Sequence, residues 1–202
     1  HVGLAAAKRS MRSGVTLADA AYPTPFDSSA LKGIRNAPEL ALMLGVARQE
    51  SEMNTRAISS AGARGLVQLL PATAKRMART LRVKYSRARL TQDPDYNLRL
   101  GSVYLAGLLN RYNGAYALAL AGYNAGPSRV KRWLRVNGDP RTGEVDPIDW
   151  IEMIPFHETR NYVQRVLENT QIYRHHLSDP NDRPKLRLVE DITGTPIRVA
   201  IR

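Results

Sequence analysis

The chain has 202 residues, enough for one substantial helical or mixed core with appended segments but short for two independent ones. At this size folding buries roughly 70% of the unfolded surface, so no disulfide or metal staple is needed. Thirty Lys and Arg against 18 Asp and Glu give a net charge of +12, and there is no cysteine, which excludes disulfides, cysteine zinc sites and a cysteine nucleophile.

In chain order, GLAAAKRSMRSG reads as a short Ala-rich helix closed by Gly14, and Tyr22–Ser29, broken by two prolines, as a linker or strap. From Asn36 the signals are helical, with Asn36 expected as an N-cap and Pro38 in the first turn. Leu40, Met43, Leu44, Val46 and Ala47 form the apolar stripe of that helix. A second helix opens at Pro71 and a third at Asp93-Pro94, the latter carrying Leu98, Gly101, Leu105, Leu108, Leu109 and Tyr112. Ala115–Tyr123 is a fourth, stopped by Asn124-Ala-Gly-Pro127, and Ser128–Leu134 and Thr159–Leu177 supply two more. No βαβ alternation and no repeat appears, so the core is expected to be all-α, from about residue 36 to 178. Residues 1–35 are expected to be the end of a preceding helical region and a linker. Residues 179–202, with three prolines and a short alternating run at Pro196–Ile201, are expected to form an extended tail without helix. The chain starts at His1 with no leader following, so it is read as a processed or excised piece. The longest apolar runs, Leu40–Ala47 and Ala115–Tyr123, are too short to span a bilayer.

The sharpest chemical signal is Glu50. It continues the face of Met43, Val46 and Ala47 on a 3.6-residue period, so its carboxyl is expected to be partly desolvated. Burial and the negative end of the helix dipole both disfavour the anion, and a Glu kept neutral near pH 7 suits a general acid. Glu52 lies roughly 200° further round the helix and cannot share the site. The competing expectation is an ion pair between Glu50 and Arg48, Arg56 or Arg64.

Around Glu50, ARQESEMN, SSAGARGLVQLLPATA, AGYNAGPSRVKRWL and WIEMIPFHETRNYVQRVL occur in this order. Together they resemble the catalytic domain of the soluble lytic transglycosylases, bacterial enzymes that cleave peptidoglycan glycan strands, over about residues 36–178. The resemblance implies a lysozyme-like helical fold with a glycan groove and a single catalytic glutamate at Glu50. It implies substrate-binding roles for Ser59, Gln68, Leu70, Tyr123, Asn124 and Glu158. Leu70 departs from the family's usual Met before Pro71, an exchange that roughly conserves volume and costs under about 1.5 kcal/mol. Ordinary structural roles stand beside these: a loop or cap for Ser59 and Gln68, a buried phenol for Tyr123, and a first-turn acid for Glu158.

The implied reaction is cleavage of the MurNAc–GlcNAc bond with closure of a 1,6-anhydro ring. It needs no cofactor, and no second carboxylate. The rivals are a goose-type-lysozyme-like hydrolase on the same scaffold, a non-catalytic glycan-binding module, and a basic nucleic-acid binder. Lys75, Arg76, Arg79, Arg82, Lys84, Arg87 and Arg89 crowd Ala72–Gln92 without an acid, but Tyr85 is the only aromatic there, a poor basis for stacking nucleobases. Anionic peptidoglycan is the expected partner, in the periplasm, with the protein a monomer. His157-Glu158 lacks the second histidine of a zinc helix, since Asn161 stands there, and His175 and His176 diverge by about 100°, so no metal is expected. Gly62, Gly65 and Gly126 are expected to serve the backbone, as no phosphate-loop Lys follows them.

Overall fold

The computed structural model describes residues 2–14 and 18–194, and among these it is all-α with two isolated β-bridges and no strand. Packing divides the chain into two compact units, His1–Tyr104 and Leu105–Arg202, the division falling inside one helix.

In the first unit α1 (Val2–Arg12) packs on α2 (Ala18–Ala21), and a 3-10 turn at Ser28–Leu31 is capped by the Asp27 side chain. α3 (Leu40–Ser51) follows, then α4 (Pro71–Thr80), α5 (Arg89–Gln92) and the first half of α6 (Pro94–Arg111). α3 is apolar on every side, and Ala41–Ala47 are all buried. Burial of such a helix on all faces removes every one of those side chains from water. Leu40 at its start and its last turn, Arg48–Ser51, surface to half-burial.

The start of α3 differs from expectation. Asn36 sits in a left-handed turn at φ 52°, and the helix begins at Leu40 behind Glu39, which makes no side-chain cap. Asn tolerates that conformation, and Pro38 forces Ala37 away from helical geometry, so the helix cannot open before the proline has passed. α4 and α6 open at Pro71 and Pro94, as the proline signals indicated.

The second unit holds the end of α6, then α7 (Tyr116–Ala125), α8 (Pro127–Asn137), α9 (Pro147–Glu152), α10 (His157–Leu177) and α11 (Leu188–Thr193). α7 is its centre, packed against α8, α10 and α11, with Ala117–Gly122 fully enclosed. Small residues let the neighbours approach: a methyl on Gly122 would press on the Tyr112 ring at 3.3 Å. α9 was not anticipated, although Asp146 accepts from the N–H groups of Ile148 and Asp149 ahead of Pro147, a legible N-cap.

The expectation of a wholly extended segment after Asp179 is corrected by α11. Its sequence, LVEDIT, is β-branched and has weak intrinsic helix preference. Tertiary anchors hold it instead: buried Ile192, and Asp191 paired with Arg174 of α10, whose Nη2 lies 2.8 Å from Asp191 Oδ1. The expected strand at Pro196–Ile201 lies outside the described residues. Among the described residues no helix is long and apolar enough to cross a membrane.

Candidate active site

Within the first unit, α3 delivers Glu50 where the buried helix reaches the surface, and the carboxylate-bearing residue is half-buried. The helix stops abruptly behind it. Glu52 and Met53 both adopt left-handed backbone, at φ 52° and 63°, and their N–H groups return to Arg48 C=O and Ala47 C=O. These bonds satisfy carbonyls that would otherwise be orphaned at the helix end. Arg48 turns the other way: its Nε donates to Ala21 C=O at 2.9 Å and its guanidinium stacks over Tyr22.

The loop from Asn54 to Leu70 is locked to this helix end. Ser51 Oγ donates to Leu66 C=O at 2.7 Å, and two β-bridges, Ile58 with Arg64 and Arg64 with Leu69, fold the loop on itself. Behind it stands fully buried Asn97 of α6. Its Oδ1 accepts from Val67 N–H at 2.9 Å and its Nδ2 donates to Arg64 C=O at 2.9 Å. Gly65 is required at this contact: its φ is +78°, and a Cβ there would collide with Leu90 C=O and the Asn97 amide.

Three residues assigned to substrate fall on this loop, with different outcomes. Gln68 gives its amide nitrogen to Ala57 C=O (3.2 Å) and Gly65 C=O (2.7 Å). Both amine hydrogens are therefore spent inside the loop, and only its carboxamide oxygen is left for a ligand. Ser59 accepts from Ala63 N–H at 3.0 Å and keeps its hydroxyl proton to donate. Leu70, 46% exposed, caps α4 with an uncovered apolar side chain.

The remaining candidates lie in the second unit. Tyr123 and Asn124 are half-buried in the last turn of α7. Asn124 Oδ1 accepts from Thr159 Oγ1 at 2.6 Å, which ties α7 to the first turn of α10. That bond gives Asn124 a structural duty, while its amide hydrogens stay outside it. Glu158 is exposed in the first turn of α10, where the helix dipole favours a negative charge. Beside it Arg129 lies over Phe156, whose ring meets Trp133 edge-on at 5.5 Å. A separate cleft of about 450 Å³ in this unit is apolar, lined by Ile148, Ile151, Leu167, Ile172 and Leu188 among others. Both its carboxylates are engaged, Glu152 by Gln164 and Glu168 by Arg165, so it offers no proton donor.

Residues 30–145 match the family described as the transglycosylase SLT domain. The chain belongs to the SLT domain family. A further match, to the soluble lytic transglycosylase helical domain, covers residues 153–181. The soluble lytic murein transglycosylase of Escherichia coli K12 is 36% identical over 137 residues, 67% of this chain and 21% of that protein. The chain thus spans about a fifth of the length of the soluble lytic murein transglycosylases it matches. The crystal structure of the 70 kDa soluble lytic transglycosylase of Escherichia coli matches at TM-score 0.72 and 32% identity, over 80% of this chain and 26% of that one. An inactive Glu-to-Gln variant of the lytic transglycosylase Slt of Pseudomonas aeruginosa matches at TM-score 0.72 and 34% identity, over 87% and 29%. The fold is the all-α, lysozyme-like one of these structures.

Sequence reasoning missed the residues that hold this SLT domain's loop in place. Asn97 sits in a helix whose apolar residues attract all the attention, and nothing local marks a polar side chain bound to a loop thirty residues earlier. Thr159 carried a weak signal, as a buried hydroxyl beside a helix start. Asp93, expected with Pro94 to open the third helix, does cap α6. The Tyr96 N–H bond holds its carboxyl below the ordinary carboxylate range, with Arg89 reinforcing it against partial burial.

Proposed function

We propose that residues 36–178 form the catalytic domain of a periplasmic peptidoglycan lytic transglycosylase with Glu50 as its single acid and base. The observation that carries this is the position of Glu50, the one acid in the turn where an otherwise enclosed α3 surfaces, its neighbour Ser51 pinned to the 54–70 loop. A half-buried glutamate at an anchored helix end is suited to meeting a sugar in one orientation.

In the proposed reaction protonated Glu50 gives its proton to the oxygen linking MurNAc C1 to GlcNAc O4. The C1–O bond breaks as positive charge develops at C1, and GlcNAc leaves with a 4-hydroxyl. The Glu50 carboxylate then takes the proton of the same sugar's 6-hydroxyl, whose oxygen closes on C1 to form the 1,6-anhydro ring. Glu50 ends protonated, ready for the next strand, and no water is consumed. Ser59 through its hydroxyl, Gln68 through its carboxamide oxygen and Leu70 through its exposed side chain are assigned to substrate. Tyr123, Asn124 and Glu158 are assigned the same class of role in the second unit.

A hydrolase would need a further base to activate water. Asp93 is unsuited to that, since its oxygens are bound and its basicity is lowered. Mass spectrometry of digested sacculi tests the reading. Anhydro ends, lighter than hydrolysed ends by one water, are expected from the wild type. E50Q is expected to cut their release at least ~10²-fold with the fold unchanged. Reducing ends as the main product, or full turnover by E50Q, would overturn it.

A further inference from the structure

We propose that a cleft in the first unit, lined by Thr55, Arg56, Thr91 and Gln92, binds a carboxylate of the peptide stem attached to the glycan strand. This rests on the reading of Glu50 given above and adds a site for the part of the substrate that is not sugar.

The cleft has a volume of about 380 Å³, within the range of sites that enclose small polar ligands. Each of the four lining residues carries a polar side chain. Arg56 supplies a charged fork of donors that matches a carboxylate in two parallel hydrogen bonds, and Thr55 and Gln92 supply neutral ones. Thr91 directs its hydroxyl proton back to Ala88 C=O at 3.2 Å and closes one side. The Arg56 backbone is fixed, because its N–H donates to Asn54 Oδ1 at 3.0 Å, yet its side chain makes no hydrogen bond or ion pair among the described residues. It lies six positions after Glu50, along the loop that Ser51 anchors.

The surrounding charge points to an anion. From Met53 to Gln92 the chain carries nine Lys and Arg and no Asp or Glu. The next acid, Asp93, is already bound to Arg89. Lys75, Arg79, Arg82, Lys84 and Arg87 are all exposed without an acidic partner among the described residues. Such a one-sign field raises the local concentration of an anionic polymer and orients it before contact. A bilayer would require a continuous apolar face beside the charges, but Ala74, Met77 and Ala78 of α4 are buried, and the large apolar side chains exposed in this segment are Ile58, Leu70 and Val83, spread far apart along the chain. A nucleic acid would require stacking partners, and the segment offers only Tyr85. Stem-peptide carboxylates on the strand that Glu50 cleaves satisfy the charge and the hydrogen bonding together, on the loop that follows Glu50 in the chain.

Steady-state release of anhydro ends by the wild type, Arg56→Met and Arg56→Lys tests this. The two substrates are peptide-bearing glycan strands and the same strands with their carboxylates converted to amides. Arg56 is exposed, so folding is expected to survive and is checked by thermal melting. On carboxylate strands Arg56→Met should raise KM about tenfold with kcat within about twofold, and Arg56→Lys should recover part of the loss. On amidated strands the gap between wild type and Arg56→Met should close. An equal KM shift on both substrates, or none on either, overturns the site. If the wild type releases no anhydro ends from either substrate, the functional reading itself fails and the site falls with it.

Discussion

Asn97→Ala tests most directly how the candidate active-site loop is held. The wild-type side chain is fully buried, and its two 2.9 Å hydrogen bonds reach Val67 N–H and Arg64 C=O on the loop that follows Glu50. Alanine takes the acceptor from a buried backbone N–H, at a cost of about 1–3 kcal/mol. Arg64 C=O retains the Leu69 N–H, so the second bond costs less, about 1 kcal/mol. The emptied amide volume adds about 1 kcal/mol, because Gly65 and Leu90 pack directly around it. The sum is about 3–5 kcal/mol, a fall in Tm of roughly 10 °C for a chain of this length. Circular dichroism melting with a parallel urea titration measures it. Asn97→Asp sharpens the test, since it keeps an acceptor for Val67 but sets a carboxylate against Arg64 C=O, and should be at least as damaging. A loss below about 1 kcal/mol for both variants would refute the assignment of Asn97 as the support of the loop.

Two further outcomes follow from the second unit. Gly194→Ala places a methyl against the backbone of Asn113, Gly114 and Ala115 at a left-handed φ of +71°, where no side chain can yield. It should release α11 at a cost of about 2–4 kcal/mol and speed proteolysis between Asp179 and Arg187, and unchanged cleavage would refute the docking. The Arg141 guanidinium, hydrogen-bonded to Asp139 at 2.6 Å, holds that carboxyl below its ordinary range. A carboxyl with a depressed folded-state pKa stabilises above its unfolded value and loses that contribution as pH falls through the folded one. Asp139→Asn should therefore melt lower than wild type near neutrality, and the difference should shrink below about pH 4. A constant difference down to about pH 2.5 would contradict it.

The long helices were legible because their signals are local. Pro71, Pro94 and Pro127 each open a helix, and the apolar periods of α6 and α10 extend across several turns. What escaped was decided at a distance. α11 is held by a pair between Arg174 and Asp191, seventeen residues apart, against the leaning of its own sequence. The expected N-cap at Asn36 failed because the proline two residues later governs when the backbone becomes helical. In the candidate site the chemistry-bearing types were visible, but the division of labour within Gln68 and Asn124 was not. Whether an amide faces a ligand or a carbonyl of its own loop depends on a turn geometry that no spacing encodes.

The paired left-handed residues that end α3 bear on how this domain can evolve. Neither Glu52 nor Met53 is a glycine, and each pays about 1–2 kcal/mol for that backbone. Glycine at either position would relieve the penalty but give the hinge freedom to swing, two or three residues from Glu50. Thermal robustness and aim thus compete at one short stretch, and a lineage selected for heat tolerance gains more safely by reinforcing the distant helices than by easing this bend.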